Sequence, residues 1–270
     1  MELQVSQLNG YCKLTQRVRH NIEYGRAGGQ SLQLDAFLPD GIGPFPVAII
    51  VHGGGWVAGD RKSNVEPLFQ PLVDGGFVCF SISYRLANDL SVLGAAVEDV
   101  EQAIRYVQAH CSEFNGDRDK IALVGESAGG QLAAMAALGK DGSAIKAVLS
   151  LYAPADLVQL ARDSKVIPEQ FRLAVQGTPW AGAVLARLRQ LSPVNHVRSG
   201  MPPFLLIHGT ADPLVPFEQS RSMCKAIRNA GGVCDLLAVK SGGHGLRGWE
   251  TSGLTSYKRL MIDWLQKRLA

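Results

Sequence analysis

The chain has 270 residues, of which 46% are hydrophobic and 19% charged, with a net charge of +3. This balance excludes a disordered chain, and the 27 Lys and Arg form no basic stripe interleaved with aromatics that would track nucleic acid phosphates. The length suits a single α/β domain over 1–270. Five cysteines (Cys12, Cys79, Cys111, Cys224 and Cys234) are an odd number at unrelated spacings without a C-x-x-C pair, which favours a reducing, cytoplasmic setting over a disulfide framework or a metal site. Cys79, inside the apolar run Phe77-Val78-Cys79-Phe80, reads as a buried structural thiol. The N-terminal stretch MELQVSQLNGYCKLTQ lacks the basic and apolar regions of a signal peptide. No apolar run reaches the roughly 18 residues of a membrane span.

In chain order, Leu32, Leu34 and Ala36 alternate with Gln33 and Asp35, which predicts a half-buried strand from Gln30 to Phe37. It is expected to pair in a hairpin with a strand near Arg19 to Tyr24, through the turn Gly25 to Gly29. After the turn-rich stretch from Pro39 to Pro44 the pattern changes to short continuous apolar runs: Pro46 to Val51, Phe77 to Ser83, Ile121 to Gly125, Ala147 to Leu151 and Phe204 to His208. Such runs suit strands covered on both faces of a parallel sheet. A further strand is expected from Asp235 to Val239. Between the runs, Val97, Val100, Ile104 and Val107 fall at helical spacing, and Gln131 to Leu138, Phe217 to Asn229 and Tyr257 to Leu269 read as further helices. Strands alternating with helices define an α/β fold. The stretch 156–203 interrupts the alternation with short mixed pieces and is expected to be a lid inserted between two strands, with an ordinary long connection carrying a packed helix as the alternative.

Ser127 lies in Gly125-Glu126-Ser127-Ala128-Gly129, a G-x-S-x-G that follows an apolar strand and precedes a helix. In that context the motif is a nucleophile elbow. Small neighbours leave room for an abrupt strand-to-helix turn, and the hydroxyl projects above the sheet near the positive end of the next helix. His52-Gly53-Gly54-Gly55-Trp56 follows the strand ending at Val51. Its glycines allow peptide N–H groups to point into a common space, so Gly54, Gly55 and Ala128 are assigned as oxyanion donors. A phosphate-binding loop is the competing interpretation, but no G-x-G-x-x-G opens a helix here and no Lys-Ser/Thr follows.

These two motifs, with Ser83-Tyr84-Arg85-Leu86-Ala87 between them and His208-Gly209-Thr210-Ala211-Asp212-Pro213-Leu214-Val215-Pro216 after them, resemble the esterases related to hormone-sensitive lipase. The likeness is greatest to the compact branch of acetylxylan, feruloyl and similar short-acyl esterases, and runs from about Leu32 to the C-terminus. It implies an α/β-hydrolase fold, with a mostly parallel sheet, an antiparallel N-terminal hairpin and helices on both faces, and carboxylesterase activity without a cofactor or metal. The residues before Pro46 are too few for the helical cap of the hormone-sensitive-lipase branch, so any cap must come from the insertion. Glu126 stands where that branch usually has Asp, and its role is open.

The chain order Ser, Asp, His makes Asp212, in the turn after the strand Phe204 to His208, the expected acid. Asp156, just past the preceding strand, is its rival, and Asp99 on a connecting helix reads as structural. Among the six histidines, His244 lies in Ser241-Gly242-Gly243-His244-Gly245, a loop able to reach Ser127, and is assigned as the base. His52 and His208 read as braces for neighbouring loops, and His20, His110 and His196 as surface or packing residues. Trp56, Trp180 and Phe171 are candidate walls of the substrate pocket. The expected chemistry is hydrolysis of a small-molecule ester through an acyl-serine. An amidase, formamidase or peptidase could use the same triad. A non-catalytic receptor of this fold would typically lack a triad member.

Overall fold

The computed structural model describes residues 17–87, 90–163 and 181–270. The strands β1 (Val18–Ala27), β2 (Gln30–Phe37) and β3 (Phe45–Val51) lead into helix α1 (Glu66–Asp74), strand β4 (Val78–Ile82) and helix α2 (Leu90–His110). Next come β5 (Gly116–Glu126), α3 (Ala128–Leu138), β6 (Ile145–Leu151), α4 (Leu157–Asp163), α5 (Ala181–Gln190) and β7 (Phe204–Gly209). The chain closes with α6 (Glu218–Asn229), β8 (Cys234–Val239), α7 (Leu246–Thr251) and α8 (Tyr257–Leu269).

All eight strands form one sheet in the order β1-β2-β4-β3-β5-β6-β7-β8. β1 with β2 and β2 with β4 are antiparallel, and every later pairing is parallel. This is the α/β-hydrolase architecture that the resemblance implies. The hairpin turn is tighter than expected, because β1 runs on to Ala27 and only Gly28 and Gly29, both at positive φ, make the bend.

The continuous apolar runs are explained by side-chain alternation. Val47, Ile49 and Val51 pack with helices α2 and α3 on one face of the sheet, while Ala48 and Ile50 pack with α1 and α8 on the other. The core is therefore two layers, one on each side. Helix α8 spans the predicted residues, with Tyr257, Met261, Leu265 and Leu269 buried on one face. Helices α1 and α7 have no counterpart in the sequence reading.

Parallel register brings the carboxyl ends of the central strands to one edge of the sheet: Val51 pairs with Gly125, Gly125 with Ser150, Leu151 with Ile207 and Gly209 with Val239. The residues that follow these ends, His52, Ser127, Asp212 and His244, are thus delivered to one place. Between β6 and β7 the described residues form α4, α5 and a short turn of helix at Pro193–His196.

Cys224 of α6 and Cys234 of β8 form a disulfide. The odd cysteine count does not predict it, because pairing depends on the helix returning beside the strand. It removes the basis on which the cysteines alone favour a reducing compartment. Cys79 is fully buried as expected, and burial pushes its thiol up, which keeps it protonated. Among the described residues no helix is long and apolar enough to cross a membrane.

Candidate active site

Ser127 sits at the junction of β5 and α3 with φ 51° and ψ −123°, a strained conformation held by its N–H bond to the Leu151 carbonyl at 2.9 Å. The turn is feasible because its neighbours are small. A Cβ on Gly129 would lie 2.2 Å from the Val51 carbonyl oxygen.

Ser127 Oγ lies 2.9 Å from His244 Nε2, and His244 Nδ1 lies 2.7 Å from Asp212 Oδ2. A carboxylate can only accept, so Nδ1 carries the proton and Nε2 accepts from the serine hydroxyl. Burial by itself raises the Asp212 carboxyl. The His208 imidazole facing it, the hydrogen bond from His244, the His244 charge and the Val215 N–H outweigh it and hold the group well below the usual carboxylate range. Asp156 is not part of this cluster: its Oδ1 accepts from the N–H groups of Val158 and Gln159 at the start of α4. Asp99 accepts the Arg85 guanidinium.

The loop after β3 turns through positive φ at Gly54, Gly55 and Trp56. Among the described residues the N–H groups of Gly54, Gly55 and Ala128 have no intramolecular acceptor. All three residues line the same pocket as Ser127 and His244. The pocket has a volume of about 500 Å³. Its apolar wall includes Pro154, Leu160, Leu214 and Val215, with Asn64 and Arg247 as polar neighbours. Trp56 is also in the lining, and its indole N–H donates to Gln131 at 2.9 Å. Trp180 and Phe171 lie outside the described residues.

The remaining histidines divide as expected. His52 is buried, donates from Nδ1 to the Gly53 carbonyl and stacks on Tyr84; burial lowers its pKa to about 4, so the ring is neutral at pH 7. His208 is fixed between Ser220 and Val215. His20, His110 and His196 bond Asp35, Glu113 and the Gln190 carbonyl, away from Ser127.

Glu126, whose role the sequence leaves open, accepts the Gly53 N–H at 2.6 Å from beneath the glycine loop. Burial raises its carboxyl above the ordinary value, against the Gly53 N–H, the Tyr152 hydroxyl and the His244 charge, which lower it. Sequence reasoning also missed Tyr152 and the pocket residues Asn64, Leu160, Leu214, Val215 and Arg247. The one available signal was an aromatic placed immediately after the β6 run.

The sheet, the strained serine and the Ser127-His244-Asp212 chain of contacts define a protein of the α/β-hydrolase class. Within that class, residues 34–227 match the BD-FAE family, and the chain belongs to it. It is 32% identical to the probable carboxylic ester hydrolase LipM of Mycobacterium tuberculosis, over 76% of this chain and 50% of that protein. It is 34% identical to esterase LipC of the same organism, over 75% of this chain and 53% of that protein. The chain thus spans about half the length of these relatives. Among solved structures, a truncated carbohydrate esterase from gut microbiota superposes with a TM-score of 0.79 at 26% identity, over 93% of this chain and 95% of that one. Est2, a thermophilic esterase of Thermogutta terrifontis, gives a TM-score of 0.75 at 25% identity, over 93% and 91%. These matches bear out the resemblance to esterases related to hormone-sensitive lipase.

Proposed function

We propose that this chain is a serine carboxylesterase that hydrolyses short-acyl esters, with Ser127 as nucleophile, His244 as base and Asp212 as the acid that orients it. The observation that carries this reading is the pair of contacts at 2.9 Å and 2.7 Å linking Ser127, His244 and Asp212 beside three unpaired amides. His244 takes the Ser127 proton as Oγ bonds to the ester carbonyl carbon, and the carbonyl electron pair moves to oxygen. The N–H groups of Gly54, Gly55 and Ala128 hold that oxyanion. Collapse breaks the bond to the alcohol, which leaves with the proton from His244, and the acyl group stays on Ser127. Water, deprotonated by His244, then releases the acid and restores the serine.

The pocket volume of about 500 Å³ and its wall of Leu160, Leu214 and Val215 favour short acyl groups. Leu160 comes from the 156–203 insertion, which supports its reading as a lid within one 1–270 domain. Acetylated or feruloylated carbohydrates are the substrates to examine first, since a neighbouring structure is described as a carbohydrate esterase and Asn64 and Arg247 offer polar contacts at the wall. The test is hydrolysis of p-nitrophenyl esters from acetate to palmitate. Turnover is expected on the short chains and to fall about 10⁴-fold or more in Ser127→Ala. A folded wild-type chain that cleaves none of the series overturns the reading, and matched amides would then be assayed.

A further inference from the structure

A buried chain of polar contacts runs beneath the site and joins the two loops that must cooperate in it. At one end the Gly53 N–H, at the base of the glycine loop, donates to Glu126 Oε1 at 2.6 Å. At the other the Leu246 N–H, two residues after His244, donates to the Tyr152 hydroxyl at 3.2 Å. The Tyr152 hydroxyl in turn faces the Glu126 carboxyl, close enough that it lowers the carboxyl and the carboxyl raises the phenol. Both side chains are enclosed: Tyr152 is 0% exposed and Glu126 3%.

Tyr152 is held in place from several sides. Its φ is 39°, a conformation unfavourable for a bulky residue. It is maintained by the bond from its N–H to the Ile207 carbonyl at 2.7 Å. The phenol ring meets the His244 imidazole edge-on at a centroid distance of 4.8 Å and Trp249 at 5.2 Å. Trp249 donates to the Gly243 carbonyl at 2.8 Å, which closes the support around the histidine loop. A strained residue fixed by its surroundings and touching the base is better placed for positioning than for filling space.

We propose that Tyr152 and Glu126 are a pair of positioning residues that couple the oxyanion loop to the histidine loop through Gly53 N–H, carboxylate, hydroxyl and Leu246 N–H. The inference rests on the serine-hydrolase reading. The oxyanion donors and the base sit on separate loops after β3 and β8, so an error in either loop misaligns the attack on the carbonyl. One rigid connection beneath Ser127 keeps both in register.

The experiment compares wild type, Tyr152→Phe, Glu126→Leu and the double variant. Tyr152→Phe keeps the ring against His244 and removes only the hydroxyl. Ester turnover is measured together with the rate at which a fluorophosphonate probe labels Ser127, at a temperature below each variant's melting midpoint. We expect kcat and the labelling rate to fall about tenfold or more in each single variant while KM stays within about twofold. The double variant should be no worse than the weaker single one, because the two residues form one connection. Losses that multiply, or a folded Tyr152→Phe with turnover and labelling within about twofold of wild type, overturn the coupling. If Glu126→Leu fails to fold, Tyr152→Phe alone decides. Labelling reads Ser127 whatever acyl compound is the true substrate, so a wild type that is labelled but cleaves no ester counts against the esterase reading and leaves the coupling to the labelling rates.

Discussion

Asp212 Oδ2 lies 3.4 Å from Nε2 of the fully buried His208, so the carboxylate that meets His244 also faces a second imidazole. The His208 Nε2 proton points to the Val215 carbonyl at 2.9 Å, and Nδ1 accepts the Ser220 hydroxyl at 2.7 Å. Val215 also donates its N–H to Asp212 Oδ1 at 2.9 Å, so His208 fixes the turn that carries Asp212. In His208→Asn, kcat should fall about tenfold with little change in KM, far less than the roughly 10⁴-fold loss expected of Asp212→Asn. Steady-state kinetics of both variants check the order.

Two carboxylates at the site should give the fold opposite pH dependences. Asp212 is depressed in the folded state, so its contribution is present above the unfolded pKa of about 4 and is lost as pH falls. Glu126 is raised, so its contribution is complete below its unfolded pKa and is lost as pH rises through the folded value. Urea unfolding from about pH 5 to about pH 3 should show a flatter decline for Asp212→Asn than for wild type. Above about pH 5, Glu126→Gln should gain on wild type as pH rises.

The elbow depends on Gly129. A Cβ there would lie 2.2 Å from the Val51 carbonyl oxygen and 2.3 Å from that of His52, both backbone atoms in the buried sheet and loop. Neither can swing aside, so Gly129→Ala should cost about 3 kcal/mol of stability. Gly248→Ala, where an added Cβ meets nothing within 4 Å, is the control. Denaturant midpoints of the two variants measure the difference.

The disulfide closes a short loop, with 10 residues of separation between Cys224 and Cys234. Its removal in Cys224→Ser should lower stability by about 3 kcal/mol. Addition of dithiothreitol should lower the melting temperature of wild type and leave that of Cys224→Ser unchanged.

Leu160 projects from α4 into the pocket wall. Enlarging it in Leu160→Trp should reduce kcat/KM for a hexanoate ester relative to acetate by about tenfold or more, since pocket discrimination per methylene amounts to about 1–3 kcal/mol. A ratio equal to that of wild type would place the acyl chain elsewhere in the pocket.

Legibility in the sequence followed the range of the interactions. Strands β3 to β7 were readable because a strand covered on both faces must be apolar throughout, and α8 because its buried face repeats at helical spacing. Helix α1 escaped notice: Pro67 and Pro71 lie within Glu66–Asp74, and its buried residues are few. Helix α7 is six residues long and carries two buried side chains, too short for a period to show. Ser127 was legible because the elbow is a local constraint, with small residues at fixed offsets from a strand and a helix.

What the sequence by itself determined was the alternating α/β order, the elbow at Ser127 and the glycine loop after β3, since each depends on residues within a few positions of one another. It also offered Asp212 and Asp156 as rival acids. Only the tertiary structure shows where each lies, with Asp156 turned to cap α4 and Asp212 brought to His244. The pairing of Cys224 with Cys234, the contact of His208 with Asp212 and the bonds from Gly53 to Glu126 and from Leu246 to Tyr152 were likewise decided by folding. Those contacts depend on parallel strands ending at one edge of the sheet, a geometry that exists only once the layers have packed.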